Sequence, residues 1–330
     1  MIWEKQMRSR TPNLAARKFL PAFLTPAIFC ALLLPLQAAQ QSEQTVESPP
    51  QKAFTTPGEA AQALILAAEN YDMPALTEIL GPDAKDLVSS EDPVLDKNRS
   101  VEFAKLAHEK QSVNSGPKNP NSATLSVGDD DWPLPIPLAE KGGKWTFDTK
   151  AGREEVILRR IGANELDAIQ ICRGYVEAQE EYAMEKHDLA EVNQYAQLII
   201  STPGKHDGLA WQKADGTWEG PVGEGVAKAL AQGYTNRSQP YHGYYFKILK
   251  GQGAAAPLGK IDFMFNGAMI GGFALAAAPA EYLVTGVKTF IVSYEGIVYQ
   301  KDLGPDTLKI FKDMELYNPD KTWDRTDDNW

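Results

Sequence analysis

Residues 163–186 read ANELDAIQICRGYVEAQEEYAMEK, and the pattern of this stretch sets the fold. Ala168, Ile171, Cys172, Tyr175, Ala178 and Tyr182 recur at helical spacings, which places them on one face of an α-helix. At ~1.5 Å per residue the stretch makes a rod of about 36 Å, long enough to back a whole sheet. Gly162 reads as the break before it and Asn164 as its cap. Gly174, in mid-helix, suggests the close approach of another element, because glycine there otherwise costs about 1 kcal/mol against alanine.

The sheet for that rod lies further along the chain. Residues 244–249 and 273–278 read as strands, and 287–294 and 297–303 alternate and are joined by Glu295-Gly296, a hairpin turn. A last helix begins near Pro305, and residues 318–330 are polar and read as a loose tail. Before the rod, Thr56-Pro57-Gly58-Glu59 is a capping box with proline at the first helical position. Further helices are expected over 74–80 and 93–110, a loop over 111–122, and a strand over 123–127. Leu134 to Leu138 is extended, and its two prolines favour an edge. Gly142-Gly143 turns it into the strand 144–148. The expectation is an α+β protein in two domains. Residues 54–160 form a small helical and hairpin domain, and residues 161–317 place the long helix on an antiparallel sheet.

The N-terminus carries a different signal. Residues 1–18 are basic, 19–36 are apolar, and Gln37-Ala38-Ala39-Gln40 supplies small residues for cleavage, the order of a secretory signal. Residues 1–38 are therefore expected to be removed and 39–53 to form a flexible leader. The destination would be the periplasm or the exterior, with no membrane span after cleavage. Loss of Cys30 with that segment would leave Cys172 alone, with no intramolecular disulfide. The net charge is −11, and the segment to be lost is itself basic, so the remaining chain is more acidic still. Such a surface disfavours nucleic acid and anionic lipid.

No G-x-S-x-G, H-E-x-x-H, C-x-x-C, Walker or dinucleotide-binding pattern occurs, and no cofactor is expected. Three places are chemically dense. Lys205-His206-Asp207 precedes Trp211 in a glycine-rich loop, and Tyr241-His242-Gly243-Tyr244-Tyr245 opens a strand. His206, Asp207 and His242 form a hydrolytic site only if they converge. Tyr241, Tyr244, Tyr245 and Trp211 are candidates for stacking on a sugar or peptide. Asp302 and Asp306 are weak candidates for calcium, as is the run Asp129-Asp130-Asp131.

Three resemblances bear on this reading. The helices and hairpin of the first half resemble small nuclear-transport-factor-2-like or cystatin-like folds. AIQICRGYVEAQEEYA (168–183) and FALAAAPAEYLVTGVKTFIVSYEGIVY (273–299) are similar to the helix and sheet of type IV pilin and pseudopilin head domains. No pilin leader precedes residue 164, so polymerisation is not implied. DDDWPLPIPL (129–138), KWTFDTKAGREE (144–155), STPGKHDGLAW (201–211), PYHGYYFKIL (240–249), MIGGFALAAAPAEY (269–282) and VYQKDLGPDT (298–307) resemble the bacterial exported proteins of domain-of-unknown-function family 2950. That resemblance implies export and supplies no activity. The sequence thus points to a non-enzymatic envelope module that binds a protein or a glycan. The alternative is a periplasmic hydrolase using His206, Asp207 and His242.

Overall fold

In the computed structural model, residues 50–326 are described apart from 117, 118 and 237. The expected signal segment, and all of the leader but its last residues, lie outside them. Helices α1 (Pro57–Glu69), α2 (Met73–Leu80), α3 (Lys85–Val88) and α4 (Pro93–Glu109) come first. Three of these begin as the sequence requires. Thr56 Oγ1 accepts from Glu59 N, Asp72 Oδ1 from Ala75 N and Asp92 Oδ1 from Leu95 N, each with proline in the first turn.

A first antiparallel sheet follows, made of β1 (Gln111–Gly116), β2 (Asn119–Val127), β3 (Trp132–Pro133), β4 (Leu138–Lys141) and β5 (Lys144–Phe147). A loop is expected over 111–122 from its Ser, Asn and Pro content, yet residues 111–116 form β1 and 119–122 the start of β2. Val113 pairs with Leu125 and Gln111 with Val127. Their propensity is poor, but pairing to a strand whose end is fully buried overrides it. The proline stretch differs from the expected edge strand: residues 134–137 lie outside the ladder, where Pro135 and Pro137 have no N–H to donate, and only Leu138 enters the sheet, in β4 between β2 and β5. Leu64, Ile65, Leu76, Ile79, Leu125, Leu138 and Phe147 form the core beneath this sheet.

The long helix α5 runs Thr149–Tyr182, so it begins fifteen residues before Asn164, the expected cap. Asp148 is the true cap, accepting from Ala151 N at 3.2 Å. Gly162 does not break the helix, because a single glycine costs only about 1 kcal/mol against packing along both halves of the rod. The boundary placed between residues 160 and 161 therefore falls inside one continuous helix that serves two cores, and both belong to one compact unit. Gly152 lets the first half approach the proline stretch. An added Cβ would lie 2.5 Å from the Ile136 Cα.

The second core gathers around Ala168, Cys172, Tyr175 and Tyr182 of α5. Ile171 is only half-buried, and Ile169 and Val176 take its place. Gly174 is exposed with open space where a Cβ would go, so no element packs against it. Strands β6 (Leu198–Ile200), β7 (Gly208–Gln212) and β8 (Trp218–Glu219) and helix α6 (Gly223–Gln232) precede the main sheet. That sheet contains β9 (Tyr244–Leu249), then, after the short pairs β10 (Gly251–Gln252) with β11 (Ile261–Asp262) and β12 (Met264–Phe265) with β13 (Ala268–Met269), β14 (Ala274–Pro279), β15 (Lys288–Ser293), β16 (Tyr299–Asp302) and β17 (Asp324–Arg325). Its order is β17-β16-β15-β14-β9, antiparallel throughout. Helix α7 (Thr307–Asp313) lies between β16 and β17 in sequence.

Every residue of β14 is buried, and its run of alanines lets α5 lie close. Tyr175 meets Phe273 edge to face at 5.7 Å. Gln179, fully buried, is satisfied by Tyr175 Oη at 2.9 Å and by both backbone groups of Ala196 at 2.8 Å. Residues 318–326, expected to be loose, lie on the structure. Asn318 Oδ1 accepts from Ala255 N, β17 pairs with β16, and Lys301 sits over the Trp323 ring. No helix among the described residues is long and apolar enough to cross a membrane.

Candidate functional site

The dense stretch at 241–244 is a tight hairpin turn. Tyr241 and Tyr244 exchange backbone hydrogen bonds, and both central residues are left-handed, with φ 52° at His242 and 77° at Gly243. Glycine takes that conformation freely, whereas histidine must be held in it. Two contacts hold it. His242 Nδ1 lies 2.8 Å from Asp167 Oδ2 on α5, and Gly243 N donates to Asp92 Oδ2 at 2.9 Å. Tyr234 Oη also donates to Asp92, and its ring packs on Tyr241. Burial and the Asp92 carboxylate push the Tyr234 phenol well above its ordinary pKa.

His206 lies elsewhere. Its Nδ1 is 2.7 Å from Asp188, its backbone N–H donates to the same carboxylate, and its ring stands edge-on to Trp211. These hydrogen bonds from His206, the backbone one first, hold the Asp188 carboxyl below its usual value. Asp207 turns away and accepts from Thr202 N and Oγ1. Adjacency in sequence thus produces no His206–Asp207 pair. His242 is tied to Asp167, and the His206 carbonyl to Tyr182 Oη. These two anchor residues of α5 are about 22 Å apart along the axis. The structure therefore gives each histidine its own carboxylate and does not assemble the three residues.

The aromatic candidates also separate. Tyr244 is fully buried and donates to Lys288 O at 3.0 Å, so it belongs to the core and offers no surface for stacking. Tyr241 and Tyr245 are half-buried, and Trp211 lies between the rings of His187 and His206. Asp302 accepts from Gly304 N and Tyr282 Oη, and Asp306 precedes α7 without capping it. Asp131 pairs with Lys110. Among the described residues no three His, Cys, Asp or Glu side chains group as a metal site.

A further concavity carries no motif in the sequence. A cleft of about 630 Å³ opens between α4 and the first half of α5. Phe103 and Leu106 of α4, Val156 of α5, Leu134 and Val88 line it, each half-buried because it faces the cleft, with Leu64 and Leu76 beneath. Trp132 stands at its edge, 43% exposed, with the Arg159 guanidinium over its ring. Its charged residues are Asp96, Arg99, Arg159 and Arg160, with Glu102, Asp129 and Asp130 exposed around it.

These groups differ in how far they are already engaged. Arg160 donates to the carbonyls of Asp86 (2.7 Å) and Leu87, closing the end of α3. Arg159 is held by Glu155 at 2.6 Å. Asp96 accepts from Ser90 N at 2.5 Å and from its hydroxyl at 3.1 Å. Burial raises the Asp96 carboxyl above its usual pKa and lowers both Arg99 and Arg160. Arg99 donates through Nη2 to Asn164 Oδ1 at 2.9 Å, and Asn164 passes the link to Thr285 O. The spacing Asp96, Arg99, Phe103 and Leu106 on α4, with Val156, Arg160 and Ala163 on α5, is a helical stripe that the sequence does contain. Without the helix pairing, nothing marked it as a shared wall.

Fold and site together define an α+β protein with two cores on one helix and an arginine-lined apolar cleft beside the first. The chain belongs to the family described as protein of unknown function (DUF2950), whose profile matches residues 51–326. No curated protein and no solved structure matches the chain.

Proposed function

We propose that this chain is an exported envelope protein that works by binding, and that the cleft between α4 and α5 is where it binds. The carrying observation is the cleft itself: about 630 Å³ walled by half-buried apolar side chains. Small-ligand sites have that size and lining. The signal pattern in residues 1–38 supports export, and the helix-on-sheet second half, similar in order to a pilin head, supports a supporting or assembly role for that half. The binding surface thus moves from the aromatic residues of the second half to the first.

Ala163 lines the cleft on α5 and is half-buried, so Ala163→Phe places a ring in the space with little effect on the helix. Nile red, a neutral apolar dye, should bind the wild type saturably, and a folded A163F protein should lose most of that binding. Undiminished binding in the folded variant refutes the cleft as the site.

The hydrolase reading keeps one favourable observation, the His242–Asp167 contact at 2.8 Å beside Tyr241. A histidine oriented by a carboxylate is half of an acid–base pair. Turnover of an ester or glycoside substrate that His242→Ala abolishes would move the assignment there.

A further inference from the structure

The inference that follows rests on the cleft being the binding site and concerns what it holds. Among the arginines of its wall, Arg99 is the least engaged in hydrogen bonds within the described residues. A guanidinium offers five N–H donors, and among the described residues Arg99 makes one hydrogen bond, to the neutral amide oxygen of Asn164. The acids around it are engaged elsewhere. Asp92 serves Leu95, Tyr234 and Gly243, Asp96 serves Ser90, and Asp167 serves His242. They attract Arg99 only through space. Arg159 and Arg160 already donate to Glu155 and to backbone carbonyls.

A half-buried guanidinium with donors still unused, next to an apolar volume, can donate charge-assisted hydrogen bonds to an incoming carboxylate. We propose that the cleft takes a single-chain amphiphile with a carboxylate head, its chain along Phe103, Leu106, Leu134 and Val156 and its head on Arg99. One carboxylate matches one guanidinium in charge and in its two-pronged geometry. A dianionic phosphate would add a second negative charge beside Asp92, Asp96 and Asp167.

The probes are dodecanoate, dodecanol, dodecyl phosphate and dodecylamine, each titrated against bound Nile red on the wild type, Arg99→Gln and Arg99→Lys. The expected result is that dodecanoate displaces the dye about 10-fold or more tightly than dodecanol on the wild type. Arg99→Gln should remove that preference while leaving dodecanol within about two-fold. Arg99→Lys should keep part of it, which answers the case where the glutamine variant fails to fold. Equal binding of dodecanoate and dodecanol, tighter binding of dodecylamine, or tighter binding of dodecyl phosphate each overturns the carboxylate assignment. If Nile red binds and Ala163→Phe removes it, yet no dodecyl compound displaces it, the cleft reading survives and this inference does not. If neither dye nor amphiphile binds the wild type, both fall.

Discussion

Asp92 ties the two cores together, and its removal should be the most damaging single change outside them. The side chain is 1% exposed. Oδ1 caps α4 through Leu95 N at 3.0 Å, while Oδ2 accepts from Gly243 N at 2.9 Å and Tyr234 Oη at 3.0 Å. Asp92→Ala removes the cap, worth ~1 kcal/mol. It also strands the buried Gly243 N–H, which costs about 1–3 kcal/mol. Tyr234 is half-buried and can turn to water, so its loss adds ~0.5–1 kcal/mol. Relief from burying a carboxylate offsets part of this. The net expectation is about 3 kcal/mol, or roughly 6–12 °C in Tm at this size. Asp92→Asn keeps the cap but points an N–H₂ at two donors if Oδ1 stays with Leu95, so it should recover only part of the loss. Urea and thermal unfolding followed by far-ultraviolet circular dichroism read these values. Tyr234→Phe should be mildly destabilising in the wild type and near neutral in the Asp92→Ala background, since the partner is already gone. An Asp92→Ala protein within ~0.5 kcal/mol of wild type, or a Tyr234→Phe cost unchanged between the two backgrounds, would refute the bridge.

Two further outcomes are expected. Gly152→Ala should destabilise by about 1–3 kcal/mol, because its Cβ would meet the backbone of Pro135 and Ile136 at 2.5 Å rather than a side chain that can move; urea midpoints check it. Cys172 is fully buried and its thiol is pushed up to about 12, chiefly by that burial. At pH 8 the thiol is therefore almost wholly protonated. In protein lacking residues 1–38, Ellman's reagent should label it only as fast as the fold opens, and rapid stoichiometric labelling of the native protein would contradict its placement.

The elements with strong local signals were legible in sequence. Thr56 and the Glu295-Gly296 turn announced their helix and hairpin through short-range chemistry that needs no partner. The stripe through Cys172 and Tyr175 likewise identified the helix that packs on the sheet. Elements whose existence depends on a distant partner were misread. Ser112 to Ser115 form a strand because Ala123 to Ser126 lie beside them, and residues 324–325 form one because β16 offers an edge. Asp148, expected as the end of the strand 144–148, instead caps α5.

For the site, the sequence by itself determined which residues could do chemistry but not which would meet. His206 and Asp207 are neighbours in the chain and take different partners, while His242 reaches back to Asp167 and Arg99 reaches Asn164 across two helices. By composition and periodicity alone, the chain is an acidic α+β protein with a long helix and an antiparallel sheet. Tertiary structure alone decided that one helix serves both cores, that Tyr244 is interior, and that Phe103, Leu106 and Val156 enclose a cleft with Arg99 on its wall. The reason is that helical periodicity records how a segment divides its faces between water and protein. What stands opposite a given face is set by loop geometry and by packing among segments far apart in the chain, and a local pattern does not contain that information.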